Sequence, residues 1–135
     1  MFTRVIPRSE WFSFCENFTR EHCGWPTTVW LLGPRFGARV ETRDLPFEGI
    51  VADRPGTAIS IHLAALPTRN VEHLVATPIS LWLEVPEDGN VGALGINSAD
   101  GTTTLLEFRP PVPAEIASRR VASDSVPQGQ CPPRS

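Results

Sequence analysis

Apolar and polar positions follow two different periods along this chain. Near the N-terminus, apolar and aromatic side chains recur every three or four residues between Arg8 and His22, which predicts one amphipathic helix. Pro7 precedes this segment and Gly24 follows it, as is typical of helix ends. We expect its buried face to pack on a sheet and to consist of Trp11, Phe14, Cys15, Phe18 and His22.

From Thr27 onward the period falls to two, which is typical of β-strands. Gly- or Pro-containing turns separate the apolar runs, and in ADG the glycine Gly101 favours a hairpin. In TAISIHL the alternation places Ile59, Ile61 and Leu63 on one face and Ala58, Ser60 and His62 on the other. The predicted strands are TTVWLLG, ARVETRD, PFEGIVAD, TAISIHL, EHLVATPISLWLEV (one long or broken strand), VGALGINS and TTTLLEF.

Parallel strands need long crossover connections, which the short turns do not provide, so we expect antiparallel pairing. The sequence therefore predicts a mainly β, α+β domain over residues 1–108. In it, one N-terminal helix packs on a curved or barrel-like antiparallel meander of six or seven strands. Residues 109–135 carry six of the 14 prolines and no long apolar run, which predicts an extended Pro-rich tail.

Four segments, IPRSEW, GW followed by TV, LPFEGIVAD and SADGTTTLLEF, occur in an order that resembles an uncharacterised family of short bacterial proteins, a domain of unknown function. The resemblance covers residues 4 to 110 and leaves the tail out. These segments form a helix start, strand edges and a hairpin. The resemblance therefore implies a fold and no activity, substrate or catalytic residue.

The charge distribution limits the function classes. The net charge is −3, and residues 1–108 carry eight Arg against thirteen Asp and Glu, so we expect no nucleic-acid partner. Glu10, Glu16 and Glu21 flank the helix stripe, and no apolar segment is long enough to span a bilayer, so we expect no direct membrane insertion. We expect a cytoplasmic protein, with a peripheral position on a membrane complex left open.

The candidate chemistry is sparse. Cys15, Cys23 and Cys131 are odd in number and widely spaced, which favours neither a disulfide framework nor a zinc site and fits a reducing compartment. His62 and His73 lack a spacing that builds a metal site. No GxSxG elbow and no glycine-rich turn before a helix occurs, so we expect no catalytic residue, no metal and no cofactor.

Protein binding remains, because aromatic and Arg side chains are frequent at interfaces and a Pro-rich segment loses little entropy on binding. We therefore predict a non-catalytic accessory or structural subunit that docks on a larger protein assembly. Trp30 and Trp82, inside apolar runs, are predicted to be core residues. The predicted partner-binding residues are Trp25, Phe36, Arg109, Pro110, Pro111, Pro113, Arg119, Arg120, Pro132 and Pro133.

Two other hypotheses stay open. In the first, a β-barrel binds a small apolar ligand in a cavity lined by Trp30, Ile61, Leu81 or Leu83. In the second, a small hydrolase or metal enzyme brings His62 or His73 within hydrogen-bond reach of a carboxylate or of Cys23. Separately, Glu41, Asp44, Glu48 and Asp53 could supply the pair of carboxylates that glycoside hydrolysis requires, but sequence does not show whether they converge.

Overall fold

A computed structural model describes residues 2–66, 69–87 and 92–109. Within these ranges the chain forms one α-helix, α1 (Trp11–His22), preceded by a 3-10 turn (Arg8–Glu10). Eight strands accompany it: β1 (Phe2–Ile6), β2 (Pro26–Gly33), β3 (Gly37–Ala52), β4 (Ala58–Leu66), β5 (Arg69–Ala76), β6 (Pro78–Val85), β7 (Ala93–Ser98) and β8 (Thr103–Phe108).

The strands form one sheet in the order β1-β6-β7-β8-β2-β3-β4-β5, and every pair is antiparallel. This confirms a mainly β protein with one short helix. The predicted strand count is wrong, because the described residues form eight strands rather than six or seven. A simple meander is wrong as well, since β8 pairs with β2 and β1 pairs with β6. The order ends at β1 on one side and at β5 on the other, so the sheet is open.

Strand β3 curves the sheet. Two strands are predicted here, but the structure has a single strand of 16 residues, and Asp44 inside it has a φ of 54°. Up to Pro46 β3 pairs with β2, and from Phe47 onward it pairs with β4. Pro46 lies opposite Pro26, where neither residue has an N–H to lose. The strand therefore passes through the proline and bends instead of ending there.

The segment EHLVATPISLWLEV, predicted as one long or broken strand, forms parts of two strands, β5 and β6. Thr77 lies between them with a φ of 53° and turns the chain from one edge of the sheet to the second strand from the other edge. Pro78 begins β6 beside an irregularity in the pairing with β7, which is where a proline is tolerated.

Helix α1 packs against β3 on the inner side of the sheet. Its predicted buried face is confirmed: Phe14 is half-buried, and Trp11, Cys15, Phe18 and His22 are buried. The Thr19 hydroxyl donates to the Ile50 carbonyl (3.1 Å) and accepts from the Ile50 N–H (3.0 Å), which fixes the helix on the bend. Ile59, Ile61 and Leu63, which were predicted to share one face, are fully buried.

The ends of the domain differ in how well they are predicted. The hairpin between β7 and β8 is confirmed, and Gly101 has a φ of 92° in its turn. Strand β1 is missed, because its first four residues are exposed and only Ile6 is buried, so no alternating pattern marks it. Among the described residues, no helix combines the length and apolar character required to span a bilayer.

Candidate protein-docking surface

The outer face of the sheet carries a row of apolar residues at one register across six strands. Each residue of the row lies directly opposite the next: Val5 and Trp82, Trp82 and Gly95, Gly95 and Leu105, Leu105 and Trp30, Trp30 and Val40. At the usual spacing between strands the row is about 24 Å long. We call it the outer row, and its members are Val5, Trp82, Gly95, Leu105, Trp30 and Val40.

The outer row faces away from the core. Trp82 lies between Leu81 and Leu83, whose side chains are buried on the inner side, and Gly95 lies between the buried Leu94 and Ile96. The tryptophans, Leu105 and Val40 are half-buried, and Val5 is 65% exposed. The prediction that Trp30 and Trp82 are core residues is therefore wrong, since both lie outside the core cluster. Alternation within a strand places them on the opposite face from the leucines.

Gly95 makes room for the indole of Trp82. A Cβ atom at Gly95 would lie 2.1 Å from Cζ2 of Trp82, far inside van der Waals contact, so the ring lies directly on the β7 backbone. The Trp82 Nε1–H donates to the Asn97 side chain at 2.7 Å. The ring is therefore held flat across two strands by contact on one side and by a hydrogen bond at its polar edge.

Trp30 is held in a similar way on the neighbouring part of the sheet. Its Nε1–H donates to a carboxylate oxygen of Glu107 on β8 at 2.6 Å. A hydrogen bond to a charged acceptor is stronger than one between neutral groups. Both tryptophans of the outer row therefore have a bonded N–H and a fixed orientation, and each presents an apolar ring to solvent.

The rows on either side of the outer row differ in charge. One side holds Thr28, Glu107, Ala93, Glu84 and Thr3, again in register, so two carboxylates lie along this edge. The other side holds the uncharged residues Leu32, Thr103, Asn97 and Ser80. The surface is thus apolar in the middle and negative along one edge.

The structure places two predicted partner-binding residues in different environments. Trp25 is half-buried and packs on the core, with its ring edge-to-face against His22 at 4.7 Å between centroids. Phe36 is 44% exposed in the turn between β2 and β3, where the Arg39 guanidinium lies 5.0 Å from its ring centroid. Neither residue belongs to the outer row, so the structure does not bring these two together with Trp30 and Trp82.

The chain leaves β8 close to the start of β2. The Arg109 N–H donates to the Pro26 carbonyl at 3.2 Å, and the Arg109 guanidinium lies 3.5 Å from a carboxylate oxygen of Asp44. Arg109 is thus attached to the folded domain. The other predicted partner-binding residues lie outside the described residues: Pro110, Pro111, Pro113, Arg119, Arg120, Pro132 and Pro133.

The cysteines correct another prediction. Cys23, directly after α1, is disulfide-bonded, so the expectation that the cysteines form no disulfide is wrong. Cys15 is a free thiol on the buried face of α1, and burial raises the pKa of its thiol to about 12. Sequence spacing gave no signal for the disulfide, because pairing depends on which cysteines the fold leaves accessible.

The residues named in the two alternative hypotheses have the following surroundings. A cavity of about 270 Å³ lies beside α1, but it is lined by Arg4, Glu10, Ser13, Phe14, Asn17, Phe18 and Glu21 rather than by Trp30, Ile61, Leu81 or Leu83. His62 lies near Glu48; burial raises the pKa of this carboxyl, and the charge of His62 opposes the rise. Within the described ranges, no group of three or more His, Cys, Asp or Glu side chains is arranged to hold a metal ion.

Comparison with known proteins supports the resemblance seen in the sequence. A family model described as a family of unknown function (DUF5335) matches residues 2–116. An uncharacterized protein of Aquifex aeolicus (strain VF5) is 22% identical over 113 residues, which are 84% of this chain and 97% of that protein. No solved structure matches the chain. The match ends at residue 116, so Arg119, Arg120, Cys131 and the last prolines lie beyond it.

Proposed function

The chain belongs to the family of unknown function DUF5335, and we propose that it is a non-catalytic accessory subunit. In this proposal it docks on a larger protein assembly through the outer row. The observation that carries the proposal is the pair of oriented tryptophans, Trp30 and Trp82, on the solvent side of an otherwise packed sheet. The outer face of an antiparallel sheet is normally polar, and here it is aromatic.

Preorganisation is the first support for this function. Trp is the residue most often energetic at protein interfaces, and a side chain already fixed in its bound orientation loses little entropy on binding. The contact of Trp82 with Gly95 and the bond of Trp30 to Glu107 fix both rings in the free protein. A docking partner therefore meets a rigid apolar surface.

Charge gives the second support and defines the partner. The edge of the outer row carries Glu107 and Glu84, and the region up to residue 108 has an excess of acidic residues. Covering the Glu107 carboxylate without compensation would cost free energy. We therefore expect the partner to be a protein with an apolar docking face and with Arg or Lys along one edge of it, opposite Glu107.

The C-terminal tail is the second contact in this proposal. It starts at Arg109, carries six prolines and four arginines against two acidic residues, and so differs in charge from the acidic domain. Restricted φ angles favour its binding as an extended segment. Deletion of residues 110–135 keeps Arg109 with its bonds to Pro26 and Asp44, and should weaken binding without unfolding the domain.

The experiment is site-specific photo-crosslinking in the source organism. A benzophenone amino acid replaces Leu105, which lies in the outer row between the two tryptophans, and the crosslinked protein is identified by mass spectrometry. The matched control carries the same group at Leu74, which is 62% exposed on β5 outside the row. The identified protein is then purified, and its affinity is measured with the full chain.

Three variants test the mechanism of binding. Trp30→Ala and Trp82→Ala should each weaken the affinity by about 30-fold, because a central Trp contributes about 2 kcal/mol. Glu107→Gln keeps an acceptor for the Trp30 N–H but removes the charge, and should lower the affinity and its salt dependence. The control Val51→Ala with Leu74→Ala should change it less than threefold. Equal affinity of the Trp variants and the wild type would refute the outer row as the docking surface.

A further inference from the structure

A groove beside α1 meets a free edge of the sheet on the inner side, away from the outer row. In the part of the chain that the structure describes, β1 pairs with β6 alone, so its other side offers unpaired backbone N–H and C=O groups. We propose that this edge is a peptide-binding site. An extended segment of a partner protein adds to β1 as one more strand and places Arg or Lys side chains in the groove.

The free edge of β1 is accessible over residues 2–5, all of which are exposed. Ile6 ends this stretch, because it is buried and its carbonyl accepts the Trp11 Nε1–H at 2.9 Å. In an antiparallel ladder every second residue points its N–H and C=O away from the neighbouring strand. Residues 2–5 therefore present about two residues whose backbone groups an incoming strand can pair with.

The groove has the length of a short strand. One wall is Arg4, which alternation places on the same side of β1 as the buried Ile6. The other wall is a stripe of α1 and the turn before it, which extends from Glu10 to Glu21 and is about 16 Å long. A strand of five residues is about 17 Å long, so an extended segment of that size fits the groove. The helix side of the cavity is formed by Glu10, Ser13, Phe14, Asn17, Phe18 and Glu21.

The helix side of the groove favours a basic side chain. Its apolar part is the stacked pair of Phe14 and Phe18, whose ring centroids are 5.6 Å apart. Its charged residues are Glu10 and Glu21, both exposed at the ends of the stripe. Arg and Lys combine an apolar stem with a charged end, so the stem can lie on Phe14 while the charge reaches a carboxylate. A guanidinium gains further from contact with an aromatic ring.

Arg4 defines the rest of the recognised pattern. Within the described ranges, neither the Arg4 guanidinium nor the Glu10 carboxylate has a hydrogen bond or an ion pair, so both are available to a ligand. A basic residue directly opposite Arg4 would destabilise the strand pair, whereas an acidic residue would stabilise it. Side chains on one face of a strand are two residues apart. The expected ligand therefore has a basic, an acidic and a basic residue at alternate positions. An inward-facing charge on an edge strand also discourages unselective pairing.

A designed peptide tests this site on the full chain. The acetylated and amidated peptide TRVEVRT carries the pattern on one face and reads the same in both directions, so it fits a parallel or an antiparallel ligand strand. It is titrated into the ¹⁵N-labelled protein, and the amide resonances are followed by NMR. We expect saturable binding at about 1 mM or below, with shifts concentrated in β1 and in the helix stripe. The matched control TVRERVT has the same composition but puts both arginines on the other face, and should bind at least about fivefold more weakly.

Backbone pairing is tested with two N-methylated forms of TRVEVRT. One form is methylated on both valines and the other on both arginines and the glutamate. Only alternate N–H groups of an added strand face β1, so one form should lose binding and the other should keep it within about threefold. A peptide held in the groove by its side chains alone would not distinguish the two forms in this way.

Variants of the protein test the charges. Glu10→Gln combined with Glu21→Gln should weaken the binding of TRVEVRT by about tenfold, whereas Glu16→Gln, exposed on α1 outside the groove, should change it less than about twofold. Arg4→Glu should reverse the preference, so that TRVRVRT binds more tightly than TRVEVRT. Trp30→Ala should leave the affinity within about twofold, because Trp30 lies on the outer row, so this test and the docking test can fail independently.

Several outcomes overturn the proposal. The first three are no saturable binding of TRVEVRT, equal affinity for TVRERVT, and equal effects of the two N-methylated forms. Shifts of the β1 resonances on dilution of the protein alone would mean that a second copy of the chain pairs with this edge. Binding that appears only after deletion of residues 110–135 would mean that the chain itself supplies the occupant.

Discussion

The contact between Gly95 and Trp82 gives a direct prediction about the outer row. In a Gly95→Ala variant the new Cβ would lie 2.1 Å from Cζ2 of Trp82, whereas carbon atoms pack at about 3.5–4.0 Å. The backbone of β7 is fixed by β6 and β8, so the indole has to move outward by about 1.5 Å or more. This movement breaks the hydrogen bond from Trp82 to Asn97.

The cost can be worked from these contacts. The lost hydrogen bond contributes about 1 kcal/mol, and exposure of roughly 40 Å² of the indole costs about 1 kcal/mol more. Replacement of a strand glycine by alanine offsets about 0.5–1 kcal/mol of this through the unfolded state. Gly95→Ala should therefore lower the free energy of unfolding by about 1–1.5 kcal/mol. In a Trp82→Ala background the ring is absent, and the same substitution should stabilise the protein by about 0.5–1 kcal/mol.

Urea unfolding of the four proteins of this double-mutant cycle measures the coupling between the two sites, which we expect to be about 2 kcal/mol. The matched control is the cycle of Gly95→Ala with Trp30→Ala. Trp30 lies two strands away on the other side of Leu105, so those effects should add within about 0.5 kcal/mol. A coupling with Trp82 no larger than this control value would show that the indole does not rest on Gly95.

Other features of the structure give two further predictions. Because the pKa of Cys15 is raised to about 12, its thiolate fraction at pH 8 is about 10⁻⁴. In the folded protein, iodoacetamide should therefore label reduced Cys23 at least 100-fold faster than Cys15. Hydrogen bonds from the Thr57 side chain and from the backbone lower the pKa of Asp53 from 3.8. Ionised Asp53 therefore stabilises the fold above about pH 4, and this contribution is lost as the pH falls through the lowered pKa. Asp53→Asn should therefore flatten the decline of urea stability below pH 4, and an unchanged slope would contradict this assignment.

The sequence predicted best those elements whose signals are local. The period between Trp11 and His22 predicted the buried face of α1, because a helix of 12 residues exposes one side and buries the other whatever the topology. The turn at Gly101 predicted its hairpin, since a positive φ there favours glycine. Alternation in β4 likewise placed Ile59, Ile61 and Leu63 on one face, which is the buried one.

Features that depend on distant parts of the chain were missed. Leu45-Pro46 predicted a strand end, but Pro46 lies opposite Pro26, where the missing N–H costs nothing, and β3 continues. The order of the strands brings β8 beside β2, a pairing that no local pattern contains.

The outer position of Trp82 did have a local signal. In PISLWLEV the residues two before and two after it are Ser80 and Glu84, which are polar, while Leu81 and Leu83 form the other alternating set. Reading the whole alternating set, rather than the apolar run, places Trp82 on the solvent face. For Trp30 the two sets of β2, Thr28-Trp30-Leu32 and Thr27-Val29-Leu31, are equally apolar. Its side is decided only by the pairing with β8 and β3.

The hydrogen bonds at both indoles also favour the proposed docking, in which a partner covers the outer row. A buried Trp N–H without an acceptor costs about 1–3 kcal/mol, which a partner would ordinarily have to offset with an acceptor of its own. Here Asn97 and Glu107 already accept these bonds within the sheet. A partner can therefore cover both rings with apolar groups alone and gains their full hydrophobic contribution. The charges of Glu107 and Glu84 remain at one edge of the row, and in the proposed complex they favour a partner with a basic edge.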